Sequence, residues 1–307
     1  MFSIFAYKLS QTYINSWNQK RINPYFSLNG GIFVEIMYKR FLQYKDASIC
    51  YYIYGNGNQI AFCFHGYSNN ARIFELLEAP LGDRFRLIAI DLPFHGETSW
   101  PRSRLTEIVL TEIIDLILAA EALPQKYWLV GFSLGCRVCI KLFTFRPAPV
   151  VRMILLSPDG LYNSIWYRFL VRTATGHKLM AFLLKSPRKA MPVLDWCRKL
   201  NIINTSVYNY ACSFVHSKRE STLLFVRWVS MSKLHPNMKL FNNRMLERGI
   251  PVSIVFGKKD QITPRQNAQE LRRFHNKYLH IALWDAGHLL LREKYLPKLL
   301  PLFESKN

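Results

Sequence analysis

From residue 60 onward, short apolar runs alternate with segments whose apolar residues recur at helical spacing. That alternation limits the fold more than any other feature of the chain. "IAFCFHG" (60–66), "RLIAIDLP" (86–93), "YWLVGF" (127–132), "VVRMILLSPDG" (150–160), "PVSIVFG" (251–257) and "YLHIALWDAG" (278–287) read as strands. "LTEIVLTEIIDLILAAEAL" (105–123), the stretch after residue 133, residues 264–274 and "REKYLPKLLPLF" (292–303) read as helices. Strands that are apolar throughout and separated by helices belong to a mostly parallel sheet covered on both faces. The expected class is therefore α/β. Two earlier runs, "IMYKRFLQY" (36–44) and "SICYYIYG" (48–55), are joined by a short turn and predict an antiparallel edge. Ligands of such sheets sit beyond the carboxyl ends of the strands, where three runs end in "FHG", "GFS" and "GKKD".

The alternation fails between residues 161 and 249. This stretch is aromatic, helix-like and basic, with fifteen Lys and Arg against Asp195, Glu220 and Glu247. A crossover between neighbouring strands needs far fewer residues, so 161–249 is expected to be an inserted helical cap on a core formed by 37–160 and 250–307. Residues 1–36 show no period and form an extension of uncertain order, with Met37 an alternative start.

At the end of the 127–132 run stands "LVGFSLG". A G-x-S-x-G arises by chance in roughly one chain in ten of this length, so its setting decides its meaning. Here a strand precedes it and a helix follows. A sharp turn at that junction, made by Gly131, Phe132, Ser133 and Gly135, would push the Ser133 hydroxyl out over the sheet edge. The next backbone N–H, that of Leu134, would lie at a helix N-terminus, where a developing oxyanion is stabilised. The plainer reading of Ser133 is a helix N-cap.

Of the eight histidines, His288 in "DAGHLLL" alone lies on a loop directly after the last strand, within reach of Ser133 as a base. Asp260 in "FGKKDQITP" follows the next-to-last strand and is the expected partner that orients the imidazole. Asp159, which ends the strand after the serine's own, remains a competitor. Asp285 is expected to shape the turn before His288.

The order Ser133, Asp260, His288 resembles that of the α/β-hydrolase superfamily, and the likeness covers most of 37–305. It implies the α/β-hydrolase fold with an inserted cap. "FHGYSNNA" resembles that group's oxyanion loop, which implies that His65 and Gly66 shape the loop and that the Tyr67 N–H joins Leu134 in the oxyanion hole. "DLPFHGETSW" resembles its D-x-P-G-H-G-x-S stretch, with Phe94 in place of the first glycine. The general look is that of capped esterases, monoacylglycerol lipases and carbon–carbon bond hydrolases. Epoxide hydrolases and haloalkane dehalogenases are disfavoured, since they use an aspartate where this chain has Ser133.

The expected activity is that of a serine hydrolase, cleaving an ester or thioester of a small, apolar acyl substrate through an acyl-enzyme. Acyl transfer and C–C cleavage would use the same residues. A non-catalytic ligand-binding protein on the same fold is the alternative of another class. No metal or organic cofactor is implied. Cys136 and Cys139 form a C-x-x-C inside the helix after Ser133 and are expected to pack as small hydrophobes, because no second ligand pair stands at zinc spacing.

Six sparse cysteines, and an N-terminus without a basic region ahead of its apolar stretch, suggest a cytoplasmic setting. The net charge of +21 is unaccompanied by any nucleic-acid motif, so no nucleic acid is expected. It leaves two readings: a solvated basic surface, or weak contact with an anionic membrane surface or acidic carrier.

Overall fold

The computed structural model of the chain describes residues 38–101, 104–161, 187–200, 218–263 and 266–304, with a few single positions between 173 and 212. The extension 1–36, the first two residues of the first expected strand, and most of 162–186 and 201–217 lie outside the described residues.

Eight strands form one sheet: β1 (Lys39–Tyr44), β2 (Ala47–Tyr54), β3 (Gln59–Phe64), β4 (Phe85–Ile90), β5 (Tyr127–Phe132), β6 (Val150–Leu156), β7 (Val252–Gly257) and β8 (Leu279–Trp284). Their spatial order is β1-β2-β4-β3-β5-β6-β7-β8. β1 and β2 make the antiparallel edge, β2 joins β4 antiparallel, and every later pairing is parallel. Among the described residues the longer helices are α1 (Glu107–Ala120), α2 (Leu134–Phe145), α3 (Pro187–Lys199), α4 (Lys218–Ser230), α5 (Met238–Arg248) and α6 (Gln266–Arg272). Thr106 caps α1 by accepting from the Val109 N–H, which satisfies one of the donors that a helix start leaves open.

The continuous apolar runs have a simple cause. Along β3, Ile60, Phe62 and Phe64 face one core, while Ala61 and Cys63 face the other. On the first side α1, α2 and α5 cover the sheet with Ile113, Ile117, Ile140, Phe143 and Phe241. On the second, the short turns Ala71–Leu77 and Glu78–Leu81 and the C-terminal segment supply Phe74, Leu77, Leu299 and Phe303. Each such side chain, fully buried, contributes on the order of 2 kcal/mol. Cys136 and Cys139 are free, fully buried thiols of α2 within the first core.

The structure adds detail to two expectations. The segment expected as a helix over 292–303 is helical from Glu293 to Phe303, but as three short pieces in succession, Glu293–Tyr295, Leu296–Leu299 and Leu300–Phe303. Pro297 and Pro301 each lack a backbone N–H, so a continuous ladder cannot form. The interval 161–249 also does not stand apart along its whole length. Met231, Leu234, Phe241 and Met245 are buried in the first core, with Phe241 edge-on to Phe143 at 5.8 Å.

Phe94, the residue in place of a glycine, has φ 64°. That region suits glycine, and a side chain there costs about 1 kcal/mol or more. Its ring is held against Phe225, Val226 and Val229 of α4, and its carbonyl accepts from Arg227 Nε at 2.9 Å. Phe94→Ala removes the ring but keeps the strain, whereas Phe94→Gly removes both. The glycine variant should therefore be the more stable of the two by about 1 kcal/mol in chemical denaturation. The opposite order would show that φ at this position carries no strain.

Candidate active site

β3 and β5 are neighbours, with Phe64 opposite Gly131, so the chain leaving each strand emerges on the same edge side by side. Immediately after β5, Ser133 sits at φ 51° and ψ −113° and opens α2. Both glycines of the motif are there because backbone fills the space a side chain would take. A Cβ on Gly131 would stand 2.8 Å from Cys136 Cα, and one on Gly135 would stand 1.8 Å from the Phe64 carbonyl oxygen. Ser133 makes no capping bond with its side chain. Its N–H donates to the Leu156 carbonyl at 2.9 Å, and its own carbonyl accepts from Cys136 at 3.0 Å and Asp159 at 3.2 Å.

The hydroxyl points instead to His288, with Oγ 3.0 Å from Nε2. The other ring nitrogen, Nδ1, lies 2.8 Å from Asp260 Oδ2. With the proton on Nδ1, His288 donates to the carboxylate and accepts from the serine. A proton can then pass from Oγ to Nε2 while Asp260 stabilises the ring's charge.

Asp260 is set firmly. Its Oδ1 accepts from the Ile262 N–H at 2.8 Å and the Thr263 N–H at 2.9 Å, and the Thr263 hydroxyl donates to Oδ2. Burial alone would raise its pKa. The hydrogen bond and charge of His288, with the Thr263 bonds, outweigh burial and hold the carboxyl below its ordinary range. The two loops are also joined by backbone, Lys258 to Trp284 at 2.8 Å and Lys259 to Ala286 at 2.9 Å.

The other two carboxylates have different partners. Asp159 Oδ2 accepts from Arg137 Nη2 at 2.5 Å, and that arginine is almost fully buried on α2. Asp285 pairs with Lys259 at 2.9 Å on an exposed face.

The oxyanion-loop candidates line the neighbouring strand end. Leu134 is the first residue of α2, so no earlier turn of helix offers its N–H a carbonyl. Gly66 packs on the Phe132 ring, which in turn lies 5.4 Å from the His288 ring. The Tyr67 hydroxyl donates to the Leu224 carbonyl of α4 at 2.6 Å. His65 Nε2 accepts from the Leu92 N–H at 3.0 Å, which leaves Nδ1–H to donate to the Gly66 carbonyl at 2.7 Å. Burial, together with the Arg227 charge, pushes His65 down to about 4 against the raising effect of that carbonyl.

Several residues of the site carry no motif. Ser157, buried at the end of β6, donates to the His288 carbonyl at 2.7 Å and fixes the loop that carries it. His95 faces the Pro93 carbonyl at 2.9 Å through Nδ1 and the Tyr67 carbonyl at 2.7 Å through Nε2. Burial, then Arg227 and His65, hold its pKa well below the ordinary value. Thr263 was legible only as a neighbour of Asp260, since a hydroxyl three residues on can close a turn around a carboxylate.

Residues 62–295 match the family described as alpha/beta hydrolase fold. The chain belongs to the α/β-hydrolase fold family. As an α/β-hydrolase it is similar to the monoacylglycerol lipase ABHD6 of Rattus norvegicus, 21% identical over 274 residues, which covers 84% of this chain and 79% of the lipase. It is also similar to the pimeloyl-[acyl-carrier protein] methyl ester esterase of Nitrosomonas europaea, 28% identical over 162 residues, covering 47% of this chain and 61% of the esterase. Among solved structures, MGS-M2, an alpha/beta hydrolase enzyme from a deep-sea metagenome library, superposes with TM-score 0.62 at 16% identity. That match covers 87% of this chain and 98% of the other. An esterase of Thermogutta terrifontis gives TM-score 0.60 at 15% identity, covering 85% and 94%. These superpositions show the shared fold.

The two buried histidines set an acid limit. The folded pKa of each lies below the free value of about 6.5, so on acidification the unfolded chain takes up protons first. Stability is complete above about pH 6.5 and declines as pH falls toward 4, with His65 alone contributing on the order of 3 kcal/mol. Asp260 adds a further loss as pH drops through its lowered pKa. Denaturant midpoints measured between pH 7.5 and 4.5 should fall accordingly. A flat profile would mean that these rings take up protons in the fold at the same pH as in the unfolded chain.

Proposed function

We propose that the protein is a serine hydrolase that cleaves a carboxylic ester or thioester of a small acyl substrate through an acyl-enzyme. The observation that carries this reading is the continuous path from Ser133 Oγ through His288 to Asp260, at 3.0 and 2.8 Å, opening at the N-terminus of α2. Ser133 attacks the acyl carbonyl, and His288 takes its proton. His288 then returns that proton to the leaving alcohol or thiol, which departs as the acyl group stays on Oγ. The Leu134 and Tyr67 N–H groups stabilise the oxyanion. Water, deprotonated by the same ring, releases the acid and restores the serine.

Two relatives of different substrate range, a monoacylglycerol lipase and a methyl ester esterase, are both named for carboxylic ester chemistry. That favours ester cleavage over C–C cleavage and acyl transfer. An intact relay argues against a purely ligand-binding role. In this proposal the part of 161–249 that includes α4 roofs the site and forms an apolar acyl pocket. The contacts from α4 to Tyr67 and Phe94 support such a roof. The enzyme acts in the cytoplasm without metal or organic cofactor.

A panel of acyl esters of increasing chain length tests the reading. Longer chains should be turned over better than acetyl. Asp260→Asn should lower kcat about a thousandfold or more while leaving the fold intact, because the ring loses its tautomer and its counter-charge. Asp159→Asn should leave kcat within a few-fold but lower the unfolding temperature, since it strands the buried Arg137 charge. If Asp159→Asn abolished turnover and Asp260→Asn did not, the acid would belong to the other loop.

A further inference from the structure

α3 leaves an apolar stripe facing solvent. Val193, Trp196 and Leu200 are 39%, 59% and 53% exposed, and their spacing of three and four residues places them on one side of the helix. Leu200 continues the helical ladder by donating its N–H to the Trp196 carbonyl at 3.0 Å. The other side of α3 is occupied. Met191 Sδ lies 4.0 Å from Cys212 Sγ, the Tyr208 hydroxyl donates to Asp195 at 2.6 Å, and Arg198 sits 4.8 Å from the centre of the Tyr208 ring. At 3.6 residues per turn these three positions fall roughly 150° from the stripe. The half-buried positions of α3 are Met191, Leu194 and Cys197, and Trp196 points away from their centre.

Single exposed apolar residues are ordinary. A tryptophan flanked along one helical side by valine and leucine is a surface made for contact. The charge around it says what kind. The only acid of α3, Asp195, is exposed but off the stripe, and it accepts from the Tyr208 hydroxyl. Lys199, next to the stripe, is exposed. The whole interval 161–249 carries fifteen Lys and Arg against three acids, in a chain of net charge +21.

We propose that this face of α3 docks on an anionic lipid bilayer, with Trp196 at the headgroup level, Val193 and Leu200 beside it, and Lys199 at its edge over the anionic headgroups. An acidic protein would match the charge equally well. The interfacial tryptophan within a short apolar stripe favours lipid, because an indole suits the headgroup boundary and the contact needs no shaped pocket.

The test is sedimentation of the full chain with phosphatidylcholine vesicles, with and without about one third phosphatidylglycerol, at about 50 and about 500 mM salt. The wild type should bind the anionic vesicles at low salt, bind the neutral ones far more weakly, and dissociate as salt rises. Trp196→Glu should weaken anionic-vesicle binding about tenfold or more, with an unchanged thermal unfolding midpoint. Should that variant unfold, Leu200→Glu provides the same readout from the helix end. Equal binding to both vesicle types would overturn the proposal. So would variants that bind as the wild type does, or a wild type that ignores vesicles and binds only an acidic carrier protein.

Discussion

The turn between β5 and α2 is the constraint on which the rest of the site depends. Ser133 holds a backbone conformation that side chains rarely adopt, φ 51° and ψ −113°. It is kept there because the turn is pressed against β3 on one side and its own helix on the other. Gly135 lies where any side chain would enter the Phe64 carbonyl, and Gly131 where it would enter Cys136. Strain of this kind persists only when surrounding structure over-determines it. Here the surroundings are the hydrogen bonds from Ser133 to Leu156 and from Cys136 and Asp159 to Ser133. The hydroxyl is thus held toward His288 in the free chain, the pre-orientation that the proposed attack requires.

The same strand ends supply everything else. β3 delivers the His65–Tyr67 loop, β6 delivers Ser157 to the His288 carbonyl, β7 delivers Asp260 and β8 delivers His288. Buried groups around them are tied to backbone in their neutral or paired forms. His65 bridges the Leu92 N–H and the Gly66 carbonyl, and the Asp91 carboxylate accepts from the Ala71 and Glu97 N–H groups. Low local dielectric makes each such bond stronger and each missing one costly. Arg227 lies above this assembly, bonded to the Phe94 carbonyl and set 5.8 Å from the Tyr67 ring centre. It links the loop after β4 to α4 and lowers the basicity of both histidines.

Much of this was legible in the sequence because it rests on local pattern. Strands buried on both faces must be apolar throughout, which exposed β3 to β7, and the strand-to-helix turn at the G-x-S-x-G followed from the apolar run before it and the helical pattern after it. Asp260 and Asp159 both follow strands, and the sequence favours Asp260 while leaving Asp159 as a competitor. The distinction is tertiary: Arg137, one turn into α2, takes Asp159, while Thr263 and His288 take Asp260. Ser157 and His95 were missed for a related reason, since a hydroxyl or ring that holds a distant carbonyl has no spacing to betray it. The C-terminal segment is helical as its apolar period implies, but Pro297 and Pro301 break it into short pieces that the period did not show. α5 likewise carried no mark separating it from the insertion, although Phe241 and Met245 bury themselves on the sheet side.

That Ser133 is the nucleophile which the whole fold aims is the central claim, and covalent labelling tests it most directly. A fluorophosphonate reacts only with an activated hydroxyl and leaves an adduct that peptide mass spectrometry can locate. The account predicts one adduct, on the peptide containing Ser133, absent from Ser133→Ala and much slower to form in His288→Ala. An adduct on another residue, or labelling that survives in Ser133→Ala, would contradict it.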